Sequence, residues 1–186
     1  IGALPAGSLN IFIIAVTSTI YFLQLDRPEL LSFGLISILI ALASGIAFLW
    51  SQRLPLHDSR STPLPVRISF GIFIAALLLA GGALILKRPV FPWDLNPDSS
   101  VIFGCIFFGD AFYFLHALLV PRWHNAKGQL LSFLAYDLVL IVPFLGLFQT
   151  IDPVYRLNLI VYVAVLLYSG GLAIYYLFFN RHTTST

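Results

Sequence analysis

The chain has 186 residues, of which 59% are hydrophobic and only 10% charged, with ten Lys/Arg against eight Asp/Glu. Average soluble domains carry about 25% charged residues, and a mean hydropathy of +0.94 leaves too few charges to coat a water-facing surface. Composition thus excludes a soluble globular domain, a disordered chain and a basic nucleic-acid binder, and points to an integral membrane protein.

Six windows are long enough to cross the hydrocarbon core, which takes about 20 apolar residues per helix. In chain order they are Leu4–Leu25, Leu30–Trp50, Arg67–Leu86, Val101–Val120, Gln129–Gln149 and Leu157–Phe179. Ile1–Leu25 has no charge and no basic leader, so it is expected to be a mature span and not a signal peptide. The chain also has no Met, which fits a processed or partial start. The expected fold is an all-α integral membrane protein, a compact bundle of six transmembrane helices in a single domain.

Orientation follows from Lys and Arg. One side holds Arg53, Arg60, Arg67, Arg122, Lys127 and Arg181, and the other Arg27, Lys87, Arg88 and Arg156. Both termini are therefore expected in the cytoplasm of a bacterial-type plasma membrane. Trp50 and Trp123 would mark the cytoplasmic interface and Trp93 the outer one. Small residues on the second, third and sixth spans (Ala41 and Gly45; Ala76, Ala80, Gly81 and Gly82; Ser169 to Ala173) predict close helix packing.

The single cysteine, Cys105, excludes an internal disulfide and a multi-thiolate metal site, and is expected to be a small buried hydrophobe. No metal site is expected, and neither a P-loop nor a dinucleotide fingerprint is present. With one Glu in the chain, no catalytic residue is assigned and no enzyme is expected.

Two acids remain inside the spans, Asp110 and Asp137. An ionised carboxylate at bilayer depth costs roughly 2.5–3.5 kcal/mol on insertion scales, so both are expected to face the interior. A short connection makes the fourth and fifth helices antiparallel neighbours, which would set the two acids side by side near the midplane and able to share a proton. At about 100° per residue, Tyr113 and His116 accompany Asp110, while Ser132 and Tyr136 accompany Asp137. Further polar stripes run along the first span (Asn10, Thr17, Tyr21, Gln24) and the sixth (Tyr155, Asn158, Tyr162, Ser169, Tyr176).

Asp110, Asp137, Tyr113, His116, Tyr136 and Ser132 are thus the candidates for a proton-binding or polar-solute pathway in a small transporter or channel. The other expectation is a non-catalytic subunit of a respiratory or photosynthetic-type complex, with other membrane subunits as partners besides the lipid bilayer itself. No cofactor is required. His116 among Phe107, Phe108, Phe112 and Phe114 is a possible ligand to haem or chlorophyll, although a hydrogen-bonded helix-contact histidine is the simpler expectation.

Gly109-Asp110 and Tyr136-Asp137 resemble, over four residues, the GxGD and YD motifs of intramembrane aspartyl proteases. Phe107 replaces the first glycine and the order along the chain is reversed. The resemblance implies a carboxylate dyad activating water.

Two loops complete the pattern. Pro89–Asp98 is expected to be a stiff outer turn whose Asp98 or Ser99 caps the fourth helix. Pro121–Gly128 is expected to be a compact basic turn facing the cytoplasm, able to meet anionic lipid.

Overall fold

The computed structural model describes residues 3–24, 31–54 and 60–180. The charged residues Asp26, Arg27, Glu29, Asp58 and Arg181 lie outside the described residues. The described chain is helical throughout: α1 (Leu4–Gln24), α2 (Leu31–Ser51), α3 (Leu64–Ile85), α4 (Pro97–Leu119), α5 (Trp123–Leu147) and α6 (Arg156–Ile174). A 3-10 turn at Pro153–Tyr155 precedes α6, and a π-turn at Tyr175–Phe179 continues it. Among the described residues six helices are long and apolar enough to cross a membrane, and no strand forms beyond one isolated bridge.

The pattern of exposure is inverted relative to a water-soluble bundle. Leu39, Ile46 and Leu49 point outward from α2, with Leu39 66% exposed. Small residues such as Ser69, Gly104, Ala117 and Ser169 turn inward, as suits helices whose surroundings are as apolar as leucine itself. Close backbone packing joins α1 to α2, α1 to α4, α3 to α4 and α5 to α6. At the α3–α4 crossing a Cβ on Gly104 would stand 2.8 Å from the Gly81 carbonyl oxygen, so two glycines set the distance. Gly82 faces open space; of the expected glycine pair only Gly81 makes the contact.

The main core joins α1, α3, α4, α5 and α6 through Ala6, Phe70, Phe114, Trp123, Leu130 and Ala173. A smaller cluster, Phe144, Leu159, Val163 and Leu166, closes α5 on α6. Ser44 and Ser51 of α2 bond their own helix backbone, at Ile40 and Phe48. This helix is the peripheral one.

Both ends of the α3–α4 connection are built by local chemistry. Lys87 has φ 56°, and the Lys87 and Arg88 amides donate back to Leu84 and Ala83 at 2.9 Å. That is the closure of a helix by a left-handed residue, a place where glycine is usual. At the start of α4 the cap is Asn96, whose Oδ1 accepts from the Ser99 amide at 2.7 Å, with Pro97 in the first helical position. Neither Asp98 nor Ser99 is the cap, because Asn-Pro supplies both the acceptor and the preset φ one residue earlier.

The α4–α5 connection departs further from expectation. Only Val120–Arg122 separates the helices, and α5 begins at Trp123, six residues before the apolar run. The chain ahead of α3 clamps this corner: the Thr62 amide donates to Pro121 at 2.9 Å and the Trp123 amide to Arg60 at 2.7 Å. Ser61 and Arg122 form the antiparallel bridge. Trp123 is consequently 1% exposed and packs in the core, so it is not an interfacial belt residue. Trp50, 57% exposed, and Trp93 remain at the surface.

Candidate functional site

Asp110 sits in the middle of α4 and is half-buried. Its Oδ1 accepts from Asn10 Nδ2 of α1 at 2.8 Å. A second bond ties the same two helices, Tyr21 donating to Asp98 at 2.7 Å. Residues 10 to 21 of α1 thus run antiparallel to residues 110 to 98 of α4. Gly109 permits the approach, since a Cβ there would lie 2.5 Å from Asn10 Oδ1 and 2.9 Å from the Asn10 carbonyl oxygen.

Asp137 takes a different partner. It is 6% exposed, and its Oδ2 accepts from Ser169 Oγ of α6 at 2.9 Å. Gly170 makes room, its Cβ position being 3.2 Å from that oxygen, while Oδ1 is buried without a partner. The expected side-by-side pair of acids is therefore not formed. Consecutive order made α4 and α5 sequence neighbours, yet α4 packs on α1 and α3 while α5 packs on α6. The carboxylates follow those partners, and neither bonds the other, which leaves the dyad implied by the protease-like strings unformed.

What joins α4 to α5 is a polar seam. Asn125 Nδ2 donates to the Val120 carbonyl at 3.1 Å, and Gln129 Nε2 to the Tyr113 carbonyl at 2.6 Å. The hydroxyls of Tyr113 and Ser132 meet at 3.2 Å, and Ser132 also donates to the Gly128 carbonyl at 3.0 Å. Asn125, Gln129, Ser132 and Tyr136 share one face of α5 at helical spacing. Tyr136, 60% exposed, lies within electrostatic reach of both Asp110 and Asp137. Four of the six candidates, Asp110, Tyr113, Ser132 and Tyr136, thus gather at one seam, and Asp137 stands behind it toward α6.

His116 is elsewhere. Its ring meets Phe48 of α2 edge-on at 6.1 Å, and Nδ1 is buried without a partner. Two of the phenylalanines expected around it have partners elsewhere: Phe107 meets Phe91 at 5.8 Å, and Phe114 stacks on Phe133 at 4.8 Å. Among the described residues no group of His, Cys, Asp or Glu is arranged to hold a metal ion. Cys105 is buried, as expected.

The α4–α5–α6 gap at the other end of the bundle is filled by aromatic rings. Phe91, from the α3–α4 loop, contacts Trp93, Phe103 and Phe107 and stacks on Tyr162 at 5.4 Å and 27°. The loop is held down by α6: Tyr155 donates to Asp94, and Asn158 Nδ2 to the Phe91 carbonyl at 3.1 Å. The sixth-span stripe is thereby divided between loop anchoring (Tyr155, Asn158, Tyr162) and the Asp137 contact (Ser169).

α1 meets α5 at its first residues, where a Cβ on Gly128 would lie 2.5 Å from the Ala3 Cβ. Further along, α1 packs on α4 and α2, and Ser132 and Tyr136 of α5 are exposed sideways. Asp110, half-buried in the middle of α4, and the exposed Ser132 and Tyr136 of α5 are the polar groups here that reach the bundle surface. Asp110 Oδ2 has no partner among the described residues.

The chain matches no protein-family model, no curated protein and no solved structure.

Proposed function

We propose that this chain is a non-catalytic subunit of a larger membrane assembly, multi-pass in a bacterial-type plasma membrane with both termini cytoplasmic. The observation that carries the reading is an acid in the middle of a membrane-spanning helix, half-buried Asp110, with Ser132 and Tyr136 exposed on the neighbouring α5. Acids at membrane depth face partners or cavities. Asn125, Gln129, Asp137 and Ser169 are buried, while Ser132 and Tyr136 are exposed on the flank of α5, the side offered to a neighbouring subunit. The asymmetry of Lys and Arg supports the orientation. The test is extraction in mild detergent from the native membrane, with a subunit list and an absorption spectrum. Stoichiometric co-purifying polypeptides support the reading, and a monodisperse single polypeptide refutes it.

A second reading, a pathway for protons or a small polar solute, is favoured by the seam of Asn125, Gln129, Tyr113, Ser132 and Tyr136 leading from the α4–α5 corner to Asp110. In that reading Asp110 and Asp137 carry the proton. Vesicles containing Asp110→Asn or Asp137→Asn would lose uptake while the fold persists; wild-type uptake by both variants excludes it.

A further inference from the structure

Basic side chains gather at the end of the bundle where α3 and α5 begin. We propose that this corner binds the phosphate headgroup of an anionic phospholipid, whose acyl chains lie along the exposed faces of α3 and α5. Such a site serves a subunit and a solute pathway alike, and requires only that the helices span a membrane.

Charge and helix direction point to an anion. Arg122 is the N-cap of α5, Lys127 its fifth residue, and Arg67 the fourth residue of α3. All three are exposed. The corner contacts hold the two helix starts together, with Thr62 donating to Pro121, Trp123 to Arg60, and Ser61 bridging Arg122. Aligned peptide dipoles leave partial positive charge at a helix start, which favours acids there and disfavours bases. α4 follows that rule, with Asn96 as its cap and Asp98 in its first turn. α3 and α5 break it, since each lacks both a side-chain cap and an acid in its first turn. The described acids stand elsewhere: Asp110 and Asp137 in mid-span, and Asp94, Asp98 and Asp152 toward the other end. Two uncapped helix starts that gather bases are in electrostatic conflict, and such conflicts mark functional sites. An anion from outside the chain relieves it.

The surface beside the cations names the lipid. Leu64, Ile68 and Ile72 follow one another at four-residue steps past Arg67, all exposed, and Leu131 is exposed one turn beyond Lys127. Apolar lanes that start at the cations suit a molecule with an anionic head and hydrocarbon tails. A soluble acidic protein would leave those lanes uncovered. Lys and Arg near a membrane surface attract anionic headgroups, and the guanidinium fork matches phosphate oxygens in pairs.

The experiment uses the full chain in maltoside micelles. Its probe is dye-labelled phosphatidylglycerol, with binding read by energy transfer from the chain's tryptophans and dye-labelled phosphatidylcholine as the reference. The expected result is saturable binding at least about tenfold tighter for phosphatidylglycerol, with that preference lost in Arg67→Gln/Arg122→Gln/Lys127→Gln. Removing three charges at the other end, in Lys87→Gln/Arg88→Gln/Arg156→Gln, is expected to leave the preference intact. Arg67→Lys/Arg122→Lys keeps the charge and is expected to keep the preference, which separates charge from damage to the corner. Equal binding of the two lipids, an unchanged preference in the first triple variant, or an equal loss in either of the other two variants overturns the proposal. Displacement of the labelled lipid by inorganic phosphate at equal concentration assigns the corner to a free anion and overturns the lipid. Displacement by hexaglutamate at equal concentration assigns it to an acidic protein segment and overturns the lipid likewise.

Discussion

Asn10 of α1 and Asp110 of α4 are joined by a 2.8 Å hydrogen bond across a crossing that only Gly109 allows. The bond fixes which way the acid points. Asp110 is thereby tied to α1, while Asp137 is tied to Ser169 of α6.

Replacing Asn10 with Leu therefore removes the side-chain donor to Asp110, the only one among the described residues. Hydrogen bonds between membrane helices average about 0.6 kcal/mol and reach about 1.7 kcal/mol, and a carboxylate left unpartnered adds to that loss. Asn10→Leu is expected to destabilise by about 1–3 kcal/mol, whereas Asp110→Asn, which keeps the acceptor, costs less. Unfolding in mixed micelles titrated with SDS measures both.

The glycines separate by what surrounds them. A Cβ at Gly109 or Gly104 would meet backbone oxygen at 2.9 and 2.8 Å, so Gly109→Ala and Gly104→Ala must push helices apart. A cost of about 1–3 kcal/mol is expected for each. Gly82 and Gly171 face open space, and alanine there is expected to be neutral or to stabilise by up to about 1 kcal/mol through helix propensity. The same unfolding assay distinguishes the two classes.

Lys87 holds a left-handed conformation at the end of α3, with φ 56°. A β-carbon in that region costs about 1–2 kcal/mol, which glycine avoids. Lys87→Gly is expected to raise stability by about 1 kcal/mol, read as a later unfolding midpoint. Lys87→Val, β-branched, is expected to lower it.

Trp123 and Trp50 answer the interfacial question directly. In single-tryptophan variants, brominated lipid is expected to quench Trp50, 57% exposed, and to spare Trp123, 1% exposed. Equal quenching would place Trp123 at the bilayer and contradict the packed α4–α5 corner.

Much of this arrangement was legible in the residues. The six spans follow from uninterrupted apolar runs, and their centres coincide with the six helices. Helix starts were harder to place. Trp123–Gly128 reads as a polar turn, yet it is helical because Arg60 and Thr62, some 60 residues earlier, hydrogen-bond to the corner. Asn96-Pro97 carried a capping signal that Asp98 and Ser99 obscured. The site was legible in its parts and not in its pairing. Asn10 and Ser169 stood on recognised polar stripes, but which stripe meets which acid depends on the neighbour of each helix, and chain order does not specify it. Asp110 went to α1 and Asp137 to α6, the closely packed neighbours of α4 and α5 respectively.

The most direct test of the assembly reading is photo-crosslinking in the native membrane from position 136, with benzoylphenylalanine replacing the exposed Tyr136 of α5 and, as a control, replacing Leu39 on the outer face of α2. The account predicts a discrete protein adduct of one mass from position 136, absent from position 39 and lost in Asp110→Asn. Lipid adducts alone from both positions would contradict it.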